Sequence, residues 1–197
     1  MQHEDNAKLR SDAQRNRERI LEVALAELTV CPDAPLSAIA RKAGVGQGTF
    51  YRNFPHREAL VLEIYRHEMR QVADSAAQLL DELPPDRALR AWMDRLAEFA
   101  MTKAGLADAM RLAAGRRGGL AKPAHTPVTD AADALLRAND AVGSIRPGMT
   151  ADDLILAIGG LWQLGPADDW RPRAARLLDL VMDGLRAGAP GPGGPAA

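Results

Sequence analysis

Between Gly46 and Phe54 the chain gathers Gln47, Gly48, Thr49, Tyr51, Arg52 and Asn53 into one short stretch. Gln and Arg side chains can each make paired hydrogen bonds to the edge of a base, and Thr offers a hydroxyl and a methyl. Tyr51 and Asn53 can donate to phosphate oxygens, and Gly48, which has no side chain, lets another backbone come close. Arg57 stands in the first turn of the next expected helix, where backbone amides help to hold an anion, and can reach a further phosphate. This set suits non-covalent recognition of duplex DNA.

Bond-making chemistry has weaker support. The four histidines, His3, His56, His67 and His125, are scattered, and no metalloprotease, Walker or dinucleotide-binding motif occurs. His67-Glu68 lacks a second His four residues after the first. The single cysteine, Cys31, excludes an internal disulfide and any cysteine-cluster metal site, so neither metal nor cofactor is expected. No apolar run approaches the ~18 residues needed to cross a bilayer, so no membrane partner is expected. The polar start Met1-Gln2-His3-Glu4-Asp5-Asn6 lacks the apolar core of a secretory signal, and a cytoplasmic location is the expectation.

The recognition set has to be carried on something. The stretch from Leu36 to Phe54 has the logic of a helix-turn-helix. Ile39, Ala40 and Ala43 form the inner face of its first helix, and Ala40 is small enough to let a second helix approach. Gly44 supplies the turn, Val45 plugs the corner, and Phe50 and Phe54, four apart, form the inner face of the second helix. A plain helical hairpin with a solvated outer face shares that outline, so the outline alone does not choose between them.

Around this element the chain reads as helices divided by Gly and Pro. Only 4% of the 197 residues are aromatic while Ala and Leu abound, which favours an all-α fold. Helices are expected at 12–29, 36–43, 47–53, 56–82, 86–103, 106–114, 127–142, 151–164 and 171–187, with a loop at 115–123. Thr126-Pro127 suits a helix start, and Thr150 with Asp153 has capping-box spacing. Residues 1–11 read as a flexible arm, 12–57 as the DNA-binding head, 58–187 as the body and 188–197 as a disordered tail. The net charge is −1, but from Lys8 to Arg57 nine basic residues face five acidic ones. A basic front on a nearly neutral body fits a nucleic-acid partner.

With its flanks, the head resembles the TetR family of transcriptional regulators. The resemblance lies in the basic start of the first helix, in I-A-R-K-A-G-V from Ile39 to Val45, in G-T-F-Y-R-N-F from Gly48 to Phe54, and in P-H-R-E-A-L from Pro55 to Leu60. It implies a nine-helix fold, a three-helix head, and a C-terminal domain for ligand binding and dimerisation. It also implies that Gln47, Gly48, Thr49 and Arg52 approach bases, and that Tyr51, Asn53 and Arg57 hold phosphates while Ser37 touches DNA. Two departures stand out: Gly46 replaces a common Ser, removing a side-chain cap, and Asn53 replaces a common His.

The body is read in the same way. One head is too small to specify an operator, and a two-fold homodimer reading a palindrome solves that. Ile155, Gly159, Trp162, Leu177, Val181 and Leu185 on the last two helices are the expected interface. Trp92, Met93, Leu96 and Phe99, with Met110 and Trp162, are the expected lining of a small-molecule effector pocket, and Thr102, Lys103 and His125 its polar accents. The family resemblance points to a repressor released by that effector. The rival reading is a helical adaptor controlled by a protein partner, against which Tyr51, Arg52 and Arg57 speak.

Overall fold

The computed structural model describes residues 2–31, 33–102, 127–163 and 169–191. Among them are eight α-helices and no strand. They are α1 (Gln2–Val30), α2 (Leu36–Lys42), α3 (Gln47–Asn53), α4 (Arg57–Glu82), α5 (Pro85–Thr102), α6 (Pro127–Val142), α7 (Ala151–Ile158) and α8 (Trp170–Arg186). The helix expected at 106–114, the loop at 115–123, and Lys103, Met110, His125 and Thr126 lie outside the described residues, as do the side chains of Thr102 and Trp162.

The helices fall into two compact units, one ending at His67 and the other beginning at Glu68. The division comes later than Arg57 because α4 sends Leu60, Val61 and Ile64 into the core of the first unit. That core also takes Ile20, Leu21 and Ala24 from α1, Ile39 and Ala40 from α2, and Phe50 and Phe54 from α3 and its end. Its start corrects one expectation: α1 begins at Gln2, so the residues read as a flexible arm are helical. Apolar periodicity reports burial, not helicity. Helix formation needs no apolar face, and the segment holds no Gly or Pro to interrupt it.

In the second unit α5 packs against α6 and α8, α6 against α7, and α7 against α8. Trp92 is fully buried, and its indole N–H donates to the Val72 carbonyl at 3.0 Å. Asn139, also fully buried, satisfies every polar atom it brings. Its amide donates to Pro85 O (2.9 Å) and Leu135 O (2.8 Å), and its Oδ1 accepts from Ser144 Oγ (2.7 Å). An amide left unpaired there would cost about 1–3 kcal/mol. Between α5 and α8 run Arg90–Asp179 (2.9 Å) and Arg186–Asp86 (2.7 Å). Burial alone would lower the Arg90 pKa, but the hydrogen bonds it donates to Asp94 and Asp179 outweigh that and hold the guanidinium charged.

Two further details differ from the expectations. α7 gives way to a 3-10 turn over Gly159–Gln163, where Gly159-Gly160 brings no side chains to hold α-helical geometry. The tail is ordered through Gly191, whose N–H donates to Gly143 O at 3.0 Å. A side chain on Gly143 would meet the Gly191 oxygen at 2.5 Å.

The capping box at α7 forms as its spacing predicts. Thr150 Oγ1 accepts from the Asp153 N–H at 3.2 Å, and the Asp153 carboxylate accepts from the Thr150 N–H at 3.2 Å. The Thr150 hydroxyl also donates to the Asp153 carboxylate at 2.6 Å, and with the Thr150 N–H it holds that carboxyl below its ordinary pKa. A carboxylate whose pKa falls on folding stabilises the fold above its unfolded value, about 3.9, and loses that contribution as pH falls through the folded value. Thermal melts of wild type and Asp153→Asn should therefore differ most above about pH 4 and converge in stronger acid.

Candidate nucleic-acid interface

The turn that aims α3 is set by backbone chemistry. Gly44 has φ +67°. The Val45 N–H donates to Ala40 O (3.0 Å) and the Gly44 N–H to Arg41 O (3.1 Å), the bond pair of a Schellman ending. Gly46 then starts α3 at φ −60°, ψ 140° without a side-chain cap, as its identity implies. Phe50 and Phe54 drop fully into the core with ring centroids 5.7 Å apart.

With that side committed inward, Gln47, Gly48, Thr49, Tyr51, Arg52 and Asn53 are all exposed. Arg52 lies back along its own helix, donating to Gly48 O (3.2 Å) and Thr49 Oγ1 (3.3 Å). Asn53 donates to Thr49 O at 2.8 Å. Ser37, in the first turn of α2, is half-buried. Arg57 is half-buried as well and donates to the Ala34 carbonyl, so it braces the α1–α2 connection as well as lying beside α3. His56 caps α4, its Nδ1 accepting from the Ala59 N–H at 3.2 Å. The result is a small helix with one anchored side and one side of base- and phosphate-compatible groups.

Comparison with known proteins agrees with this geometry. The family described as bacterial regulatory proteins, tetR family, matches residues 32–64. The transcriptional regulator SbtR-like C-terminal domain matches residues 84–187, more than half of the chain. The chain belongs to the TetR family of transcriptional regulators. It is similar to the TetR regulator SCO0520 of Streptomyces coelicolor, with 43% identity and a TM-score of 0.71, covering 86% of this chain and 98% of that one. A TetR regulator of Mycobacterium vanbaalenii shares 31% identity and a TM-score of 0.67, over 90% of this chain and 99% of the other. The repressor LfrR of Mycolicibacterium smegmatis is 37% identical over 79 residues, 39% of this chain and 41% of LfrR. The chain thus spans about two-fifths of that curated relative. TetR regulators are DNA-binding transcription factors, not enzymes.

Sequence reasoning did not assign two arginines of α1. Arg19 Nε donates to Ala43 O at 3.0 Å, closing the end of α2, and Arg17 Nη1 reaches Asn53 Oδ1 at 3.4 Å. The cluster of arginines in early α1 was the available signal, but spacing along one helix cannot name a partner on another.

In the second unit Trp92, Met93 and Leu96 lie wholly in the core. A groove of about 440 Å³ runs between α4 and α5, lined by Glu68, Gln71, Val72, Ser75, Arg95, Glu98 and Phe99. Of the expected pocket-lining residues whose side chains are described, Phe99 alone is among these. Leu185, expected at the dimer interface, is 3% exposed and belongs to the inner stripe of α8 with Ala174, Leu178 and Met182. Ile155, Gly159 and Val181 are half-buried, whereas Leu156, Leu177 and Leu180 are exposed at 78%, 37% and 69%. Leu156 and Leu180 were missed because two adjacent apolar stripes on one helix look like one broad stripe in sequence.

Gly44 and Gly48 give a direct test of this local reading, since among the described residues an added Cβ meets no packed neighbour within 4 Å at either position. Their backbones decide the outcome. Gly44→Ala should destabilise by about 1–2 kcal/mol because its φ is positive. Gly48→Ala, in ordinary helical backbone, should stabilise by about 0.5–1 kcal/mol. Urea denaturation of the two variants measures both.

Proposed function

We propose that the protein is a cytoplasmic repressor that binds a palindromic operator as a homodimer and is released by a small-molecule effector. Gln47, Gly48, Thr49 and Arg52 meet base edges in the major groove, Tyr51, Asn53 and Arg57 hold phosphates, and Ser37 touches DNA from α2. One observation carries the reading. Gly48 sits exposed in a helix where, among the described residues, no packed neighbour fills the space of its absent side chain. A helical glycine costs stability, and internal packing does not explain this one, so close approach of an external surface does.

The dimer forms through the outer face of α7 and α8. Leu156, Leu177 and Leu180 are exposed apolar side chains there, with a shallow apolar recess lined by Ala157, Gly160 and Val181 between the two helices. A second copy covers them by two-fold symmetry, as dimers commonly do. The effector occupies the groove between α4 and α5 and acts by binding one state of α4 better than another. Coupling of about 1–3 kcal/mol is typical of such linkage.

Selection from random duplexes should enrich paired, inverted half-sites. Recovery of no enriched sequence at low salt would defeat the operator reading. On the selected duplex, Arg52→Ala should cost about 1–3 kcal/mol and relax preference at one position of each half-site. Gly48→Ala should weaken binding even as it stabilises the free head, a divergence that fold damage cannot produce. For the dimer, Leu180→Glu should shift sedimentation equilibrium toward monomer and leave the helical content intact.

A further inference from the structure

One arginine of α1 meets the end of α3 and the start of α4 together. Arg17 Nη1 donates to Asn53 Oδ1 at 3.4 Å. Its Nη2 pairs with Glu63 Oε1 at 3.3 Å, and its guanidinium carbon lies 5.1 Å from the centre of the Phe54 ring. Glu63 also faces Arg66 Nη1 at 3.6 Å. The Arg17 and Glu63 side chains are only 33% and 16% exposed, so solvent screens the pair less than an open surface pair.

This contact selects one orientation of the Asn53 amide. The oxygen and NH₂ ends of an asparagine are nearly alike in shape but opposite in hydrogen bonding. A guanidinium only donates, so Arg17 requires Oδ1 on its side. A carbonyl only accepts, so Thr49 O, 2.8 Å from Nδ2, requires the NH₂ on the other. Turned over, the amide would set N–H against N–H and oxygen against oxygen. In the observed orientation one N–H goes to Thr49 and the amide keeps a second N–H on the exposed end of α3.

We propose that Arg17 is a positioning residue for operator binding: it holds the Asn53 amide so that the second N–H is committed to a DNA phosphate. The proposal rests on the reading of α3 as the DNA-contacting helix and names the group that sets one of its contacts. It also gives Asn53 a role suited to an amide, which can serve Arg17, Thr49 and a phosphate at once.

The test uses the intact protein and its selected duplex, with anisotropy titrations at several salt concentrations and a melting temperature for every variant. Arg17→Met and Asn53→Ala should each weaken binding on the order of tenfold. The double variant should bind no worse than the weaker single variant, because both remove the same phosphate contact. Arg17→Lys keeps a cation for Glu63 but lacks the planar fork that also reaches Asn53, so its melting temperature should hold while affinity falls. A purely structural Arg17 would show affinity restored with stability in Arg17→Lys, which overturns the proposal. Additive losses, with the salt slope reduced by about one for Arg17→Met, would make Arg17 itself a phosphate contact and overturn it too. Unchanged affinity in Arg17→Met has the same consequence. Should Arg17→Met fail to fold, Arg17→Lys and Asn53→Ala decide the matter. Loss of binding by the wild type on every duplex would instead fell the operator reading, and this proposal with it.

Discussion

Seven residues cannot hold a helix in water by themselves, since isolated helices below about 12–15 residues are marginal. α3 therefore depends on burial of Phe50 and of Phe54 just beyond it, and everything offered by its outer side depends on that anchoring. Phe50→Ala-sized losses in a core run to about 3–5 kcal/mol, more than any polar contact on the helix can supply. The stability of α3 thus rests on the aromatic pair rather than on the exposed polar set. Gln47, Thr49 and Arg52 can be chosen for what they recognise because two aromatic rings already hold the element.

Polar groups within each unit refine what apolar packing establishes. Arg19 closes α2 at Ala43, Arg57 holds the Ala34 carbonyl, and Asn139 joins α6 to the start of α5 and to the following turn. Arg19 and Arg57 thereby satisfy backbone carbonyls that a helix end and a loop leave over. The same ending recurs at Gly44 and at Gly143: each has positive φ, and the next residue's N–H bonds back to a carbonyl five residues earlier. The first points α3 outward. The second frees the Gly143 carbonyl to receive the tail at Gly191.

The second unit separates two kinds of apolar surface that composition treats alike. On α5 the side chains of Leu89, Trp92, Met93 and Leu96 vanish into the core, leaving Phe99 beside the α4–α5 groove. On α8 Leu178, Met182 and Leu185 point inward while Leu177 and Leu180 face out. Burying an apolar side chain stabilises a fold by about 1.5–3 kcal/mol, so an outward leucine forgoes a gain that its neighbours make. Leu156 on α7 is likewise exposed.

By itself the amino-acid order determined what depends on near neighbours: helix periodicity, the glycine turn at Gly44, the Thr150 cap, and the aromatic pair that gives α3 an inside and an outside. It also carried enough of the head, from Ile39 to Leu60, to show the family. The tertiary structure decided what depends on distance along the chain. It chose which of two apolar stripes on α8 goes inward, which aromatic side chains of α5 reach a groove, and that Arg17 meets Asn53. The physical reason is that local rules act through bonds and turns of one helix. Partners 36 residues apart meet only once packing has fixed where their helices cross. The helical Gln2–Asp12 segment shows the converse, since helix formation needs no burial and apolar periodicity there had nothing to report.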